Sequence, residues 1–311
     1  MADDRPEVGA DVADVDLSGQ TVLVTGSTSG IGRAAALAFG RLGAEVLVHG
    51  RDEDAGAAVV AELEATDADG ATFFAADFAD RSAVHRLAEE VTAHTDELDV
   101  LANNAGGYFP NGGTTEDGIA FTFGVNHLAP FVLTADLLPT LAAEARVVTT
   151  SSLAHRQGGM DFESLRTPET GQGWGEYAQS KLANVLFTRE LARRLDAAGR
   201  DVTANCFHPG AIPGSGFVRN APFPIPTLTR ALSAVPDPLT RPFVTTVSDG
   251  AETLVYLGAS PELDTSGGYF TNCRERRPSL AARDEETARR LWEVSEDLAG
   301  VEVDLSPAIE Q

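Results

Sequence analysis

The sequence predicts an α/β fold, a doubly wound parallel sheet of about seven strands with helices on both faces, built as a single domain. Two features lead to this reading. Short apolar runs alternate with longer amphipathic stretches along most of the 311 residues, with no internal repeat and no linker that would divide them. A glycine-rich turn follows the first apolar run. Continuous apolar strands between helices belong to a sheet covered on both faces, and right-handed crossovers then force the double winding.

Thr21–Thr25 reads as the first buried strand and Ile31–Leu42 as a helix with small residues on its packing face. Ala44–His49 is a second strand and Glu53–Ala65 a second helix. Strands at Thr72–Ala76 and Asp99–Asn103 flank a helix at Arg81–His94. A long helix within Glu116–Ala142 precedes the strand Arg146–Thr150, and a helix from Tyr177 to Leu195 precedes the strand Val202–Phe207. A helix at Ser248–Leu257, a short strand at Gly268–Thr271 and a terminal helix at Glu285–Leu298 complete the pattern. Two stretches fall outside it. Met1–Asp16 reads as a disordered acidic lead, and the Pro-rich segment Ala211–Pro242 as a lid over the substrate, because binding residues gather on loops beyond strand carboxyl ends.

The charge balance excludes several functions. Forty-seven acids against 23 bases leave a formal charge of −24, which repels nucleic acid and anionic membranes alike. No uninterrupted apolar run reaches the ~20 residues that span a bilayer, and no signal-peptide pattern opens the chain, so a cytoplasmic location is expected. The two cysteines, Cys206 and Cys273, and six scattered histidines offer no metal-ligand spacing, so no metal is expected. Acids distributed over every surface-type segment fit a surface adapted to high salt. Lys181 is the single lysine, a position where arginine would not serve.

The chemistry-bearing residues lie at strand ends. In Thr25-Gly26-Ser27-Thr28-Ser29-Gly30-Ile31-Gly32 the glycines allow a tight turn, and the following helix N-terminus favours a pyrophosphate. This makes Gly26, Ser27, Ser29, Gly30, Ile31 and Gly32 candidate cofactor contacts. Arg51 stands where an NAD enzyme places a ribose-binding carboxylate, so its guanidinium favours NADP(H) over NAD(H); its plainer reading is a solvated arginine. Asp52 reads as a helix N-cap. Asp77, followed by Phe78, ends the third strand, where its plain reading is a cap or turn residue. Asn103-Asn104-Ala105-Gly106 ends the fourth strand, where the topology reverses. Tyr177 and Lys181, four residues apart, share one helix face. Lowering a phenol from ~10 to ~7 requires about 4 kcal/mol of preference for the phenolate, which nearby positive charge can supply in a water-poor cleft. Ser152, with Ser151 as its rival, closes the fifth strand, and Pro209-Gly210 follows the sixth.

Taken in order, these motifs resemble the short-chain dehydrogenase/reductase family with its Rossmann-type fold. Ser151-Ser152-Leu153-Ala154-His155, Ser180-Lys181-Leu182-Ala183-Asn184 and the tail from Gly268-Tyr269-Phe270 to Trp292 are similar to its retinol dehydrogenase-like branch. The resemblance selects Ser152 over Ser151 and implies catalysis by Ser152, Tyr177, Lys181 and Asn126. It implies cofactor contacts at Asp77, Phe78, Asn104, Ala105, Gly106, Tyr177, Lys181, Pro209 and Gly210. Asn126 is the counterpart of an asparagine that holds a helix kink and a water of the proton relay. Where the family has a threonine that bonds the nicotinamide carboxamide, this chain has Gly214 and then Ser215. The implied activity is hydride transfer between NADP(H) and a carbonyl or alcohol of a lipophilic small molecule. Reduction of a C=C bond and a non-catalytic NADP-binding sensor are the alternatives, and family habit implies a homo-oligomer unless the long tail prevents it. For a salt-adapted surface, the expected outcome is a Tm that rises with molar KCl in a thermal melt; a flat or falling Tm rejects it.

Overall fold

The computed structural model describes residues 5–166, 173–210 and 246–305. The described chain forms one sheet in the order β3-β2-β1-β4-β5-β6-β7-β8. The strands are β1 (Thr21–Val24), β2 (Glu45–Gly50), β3 (Gly70–Ala75), β4 (Leu98–Asn103), β5 (Leu141–Thr150), β6 (Thr203–Phe207), β7 (Tyr269–Thr271) and β8 (Arg274–Glu275). All pairings are parallel except β7 with β8. The sheet thus has one strand more than the sequence pattern indicates. Two exposed polar residues carry no strand signature, and β8 is set instead by a tight turn in which Asn272 and Cys273 adopt φ of 50° and 54°.

Each helix lies against one face of the sheet. One core contains α1 (Gly30–Arg41), α2 (Glu53–Leu63) and α6 (Val247–Ala259), packed on Val22, Val24, Val46 and Val48. The other contains α3 (Arg81–His94), α4 (residues 121–137), α5 (Gly173–Ala197) and α7 (Glu285–Ala299), packed on Leu23, Leu47, Leu101 and Val147. Alternate residues of each strand face opposite cores, as a period of two requires. Asp52 caps α2 by accepting from the Ala55 amide, in line with the sequence reading. The α4 rod runs Phe121–Phe123, a π-helical turn Gly124–Leu128, then Ala129–Leu137. By length and composition Phe121–Thr140 is apolar enough to cross a membrane, yet 83% of that window is buried within the protein as a core helix.

The acidic lead is a correction. Residues 6–9 form a helical turn, and Ala10, Val12 and Leu17 join the core beside α1 and α6. Glu7, only 2% exposed, makes this packing tolerable because Arg41 holds both carboxylate oxygens, at 2.5 Å and 2.7 Å. A buried carboxylate without that fork would cost several kcal/mol. The anticipated lid, Ala211–Pro242, lies outside the described residues, as do Gly214 and Ser215.

Strand order reverses beside β1, whose neighbours are β2 and β4. In open α/β sheets ligands bind in a crevice outside the strand carboxyl ends at such a reversal, which here is the β1/β4 junction.

Candidate active site

The turn after β1 is organised by Thr25, which is fully buried. Its hydroxyl donates to the Ala102 carbonyl and accepts from the amides of Asn104 and Ala105, at 2.9 Å and 3.0 Å. Asn104 returns a bond from Nδ2 to the Thr25 carbonyl, and Thr150 donates to Asn104 Oδ1. The ends of β1, β4 and β5 are thereby laced together. Gly26 and Gly30 have φ of +66° and +57°, which L side chains rarely adopt. A Cβ on Gly32 would lie 2.4 Å from the Gly26 carbonyl oxygen, so only glycine lets α1 approach this closely. Ser29 is exposed and does not cap α1 with its side chain. The amides of that first turn, with half-buried Ile31 among them, therefore face the crevice with the helix dipole behind them, a setting suited to a pyrophosphate.

Two of the expected cofactor contacts have partners within the protein. Ser27 is buried; its amide donates to the His49 carbonyl and its hydroxyl accepts from the His49 amide. The Phe78 ring is also buried and stacks on His49 at 4.6 Å. His49, absent from the sequence reading, is the hub of this end. Its Nδ1 accepts from the Gly26 amide at 3.1 Å, and Nε2 bonds the Ala76 carbonyl at 3.2 Å. That pairing requires the neutral tautomer with its proton on Nε2, and burial pushes the imidazole down to about 4. A histidine in an apolar strand gives no signal of such a role by periodicity.

Arg51 and Asp77 meet at the crevice mouth, where Nη1 and Oδ2 are 3.4 Å apart and both side chains are exposed. Asp77 also accepts from the Ala79 amide, so its turn role is realised. On the opposite side Ala105 and Gly106 form the floor, and a Cβ on Gly26 would press on the Ala105 backbone at 2.9 Å. Gly106 lies over Asn126 Oδ1 and the Lys181 amine, with φ of +153°. Pro209 and Gly210 continue from β6, half-buried, with Gly210 at φ +88°.

The three catalytic candidates come together at the end of β5. Tyr177 and Lys181 project from α5 over that strand, and the lysine Nζ donates to the Thr150 carbonyl at 3.2 Å. Nζ is 5.8 Å from the Tyr177 ring centroid, so the two groups share one side of the helix. Ser152 hydrogen-bonds the Tyr177 hydroxyl. Ser151 is engaged elsewhere, donating to the Lys181 carbonyl at 2.8 Å. Burial pushes the phenol up to about 12, opposed by the bond to Ser152, and pushes the amine down to about 8. Asn126, fully buried in the π-helical turn, exchanges two bonds with the Gly107 backbone and donates to Ser180 Oγ at 3.0 Å. The helix irregularity expected of it is present, and its amide braces α5.

Three further residues escaped the sequence reading. His155 Nδ1 bonds the Ser152 carbonyl at 2.7 Å while Nε2 accepts from the Ser279 amide, tying the serine to the tail. Tyr108 and Trp174 flank Tyr177, with ring centroids 5.8 Å and 5.7 Å away. Aromatic residues without a periodic pattern read only as core, and only the fold assembles them around the phenol.

The family model described as short chain dehydrogenase matches residues 20–221, which include the motifs from Thr25 to Gly210. The chain belongs to that family. Retinol dehydrogenase 14 of Mus musculus is 38% identical over 299 residues, covering 92% of this chain and 87% of the relative, in keeping with the retinol dehydrogenase-like branch. A Mycobacterium paratuberculosis protein of known structure matches with a TM-score of 0.73 and 32% identity, covering 93% of this chain and 97% of that one. A short chain dehydrogenase from Burkholderia cenocepacia, solved in complex with NADP, matches with a TM-score of 0.64 and 28% identity over 86% of this chain and 99% of that one. Nicotinamide dinucleotide binding is the property of this family that the crevice accommodates: glycines without Cβ, an open helix N-terminus and a basic residue at the mouth.

The His49 geometry makes stability depend on pH. Because the folded imidazole titrates near 4 rather than 6.5, its contribution is complete above pH 6.5 and is lost as pH falls toward 4. Urea unfolding at pH 4.5 and 7.5 should show His49→Gln losing less stability on acidification than the parent protein, by about 2 kcal/mol. Equal losses in the two proteins would assign the proton elsewhere.

Proposed function

We propose that this short-chain dehydrogenase is an NADP-dependent oxidoreductase that transfers a hydride between nicotinamide and the carbonyl or alcohol carbon of a lipophilic small molecule. The observation that carries the reading is the convergence of Ser152, Tyr177 and Lys181 at the floor of the crevice. A purely binding protein has no need of an aligned phenol, hydroxyl and buried amine. Arg51, an exposed cation just after β2, supports NADP(H); the aromatic wall of Tyr108 and Trp174 supports a lipophilic substrate. So does the rim, where Leu153 beside Ser152 is 50% exposed and Leu280 beside Ser279 is 80% exposed.

The dinucleotide, when bound, supplies the hydride from nicotinamide C4. The turn from Gly26 to Gly32 and the first turn of α1 would hold its pyrophosphate, Arg51 its 2′-phosphate, and Lys181 the ribose beside the reacting carbon. Ser152 donates a hydrogen bond to the substrate oxygen where negative charge develops. Tyr177 gives its proton to that oxygen, acting as a general acid. Lys181, protonated below about pH 8, stabilises the phenolate that remains. For alcohol oxidation the same phenol must first lose its proton. From about 12 that costs about 7 kcal/mol at pH 7, well above the cost for an unperturbed tyrosine. Oxidation is therefore expected to accelerate with rising pH.

NADPH consumption measured against aldehydes, ketones and enones tests the reading. Carbonyl reduction is the expected outcome; turnover of enones alone would establish C=C reduction instead, and no turnover would favour a sensor. Tyr177→Phe should lower kcat by roughly a thousandfold or more, the scale of general acid catalysis and its alignment, with NADPH affinity nearly unchanged. Full activity in that variant would remove Tyr177 from the mechanism. Arg51→Ala should weaken NADPH binding roughly tenfold or more, as for a lost charge-assisted pair, and leave NADH binding nearly unchanged. Equal losses for both cofactors would remove the 2′-phosphate role.

A further inference from the structure

We propose that Ser295, His127 and Asn184 are positioning residues for Lys181, joined in one buried hydrogen-bonded thread that runs from the terminal helix α7 to the catalytic amine. The thread rests on the proposed role of Lys181 and deepens it. At its inner end the Thr150 carbonyl accepts from Lys181 Nζ at 3.2 Å and from Asn184 Nδ2 at 3.0 Å. A carbonyl oxygen has two lone pairs, and here both are taken. Because Asn184 Nδ2 donates, its Oδ1 must accept, and His127 Nδ1 lies 3.3 Å from that oxygen. Nδ1 therefore carries the imidazole proton, which leaves Nε2 as an acceptor. The Ser295 hydroxyl sits 3.0 Å from Nε2 and donates to it. One protonation pattern thus satisfies the whole series.

Every member is at most 4% exposed: Ser295, His127, Asn184 and Lys181. The rings of Phe123, Phe131 and Phe187 surround the imidazole, and Trp292 of α7 packs on the last two. In so dry a setting a polar group costs free energy unless fully paired, and pairing fixes its orientation tightly. His127 and Asn126 are adjacent in the widened π-helical turn of α4 and grip α5 on both sides of the lysine. Asn126 holds Ser180 at 3.0 Å, while His127 holds Asn184. An apolar filler would pack the same space without setting the direction of the Thr150 carbonyl, and that carbonyl is the anchor seen for the ammonium. The titratable groups along the thread, Tyr177 beyond Lys181 and His127 beyond Asn184, are both held uncharged near neutrality by burial.

Lys181 is the single lysine of the chain, so protein labelled with isotopic lysine gives one side-chain resonance whose titration needs no substrate. In folded Ser295→Ala and His127→Phe, the Lys181 midpoint should move by about half a pH unit or more, with the larger shift in His127→Phe. With a carbonyl substrate, kcat should fall roughly fivefold or more while KM and NADPH affinity stay within about twofold, the split expected when alignment rather than binding is lost. His127→Gln, which keeps a donor and an acceptor, should restore much of both. If His127→Phe does not fold, Ser295→Ala carries the test, because it removes one hydroxyl. A Lys181 resonance and titration unchanged in the folded variants would overturn the inference. A resonance that moves in a protein whose parent turns over no carbonyl would uphold the thread and reject the enzymatic reading instead.

Discussion

A phenol and an amine, one helical turn apart, must share a cleft that excludes water. Exclusion raises Tyr177 to about 12 and lowers Lys181 to about 8, so burial alone opposes the charged form of each. Their chemistry depends on proximity: a charge on either is tolerable only where the other group, or a positively charged ring beside them, balances it. Much of the structure near the crevice serves to hold α5 on the end of β5. Ser151 holds the Lys181 carbonyl, Asn126 holds Ser180, and Thr150 receives the amine.

The nucleotide end follows a different logic. There the side chains keep the backbone in shape. Thr25 and Asn104 join three strand ends, Ser27 and His49 clamp two, and the glycines remove the Cβ atoms that would block approach. Arg51 is the exception, an exposed cation in a chain with a formal charge of −24, paired across the mouth with Asp77. Together the two ends form one site, laced by hydrogen bonds at the turn after β1 and shaped by burial around Tyr177 and Lys181.

The elements of the sheet were readable in the sequence because apolar strands and amphipathic helices differ in period. Ends of strands and helices moved by only a few residues, and Arg81–His94 did not move at all. The longest discrepancy is β5, which begins at Leu141 rather than Arg146, since Ala142, Glu144 and Ala145 carry no strand preference and lie in the register irregularity between the Leu98–Leu141 and Val100–Arg146 pairs. The acidic lead misled for the opposite reason. Its charges announce solvent, and only a guanidinium distant in sequence, Arg41, makes the burial of Glu7 affordable.

The sequence by itself determined the family, the order of the motifs and the candidates Ser152, Tyr177 and Lys181, because covalent spacing on a helix or at a strand end is a local property. Tertiary structure decided what those groups experience. It turned Ser27 and Phe78 inward, made His49 a hub, enclosed Tyr177 with Tyr108 and Trp174, and threaded Ser295 to Lys181 through His127. These relations join residues up to 168 positions apart. Burial and hydrogen-bond direction arise only when distant segments meet, and so no local pattern encodes them.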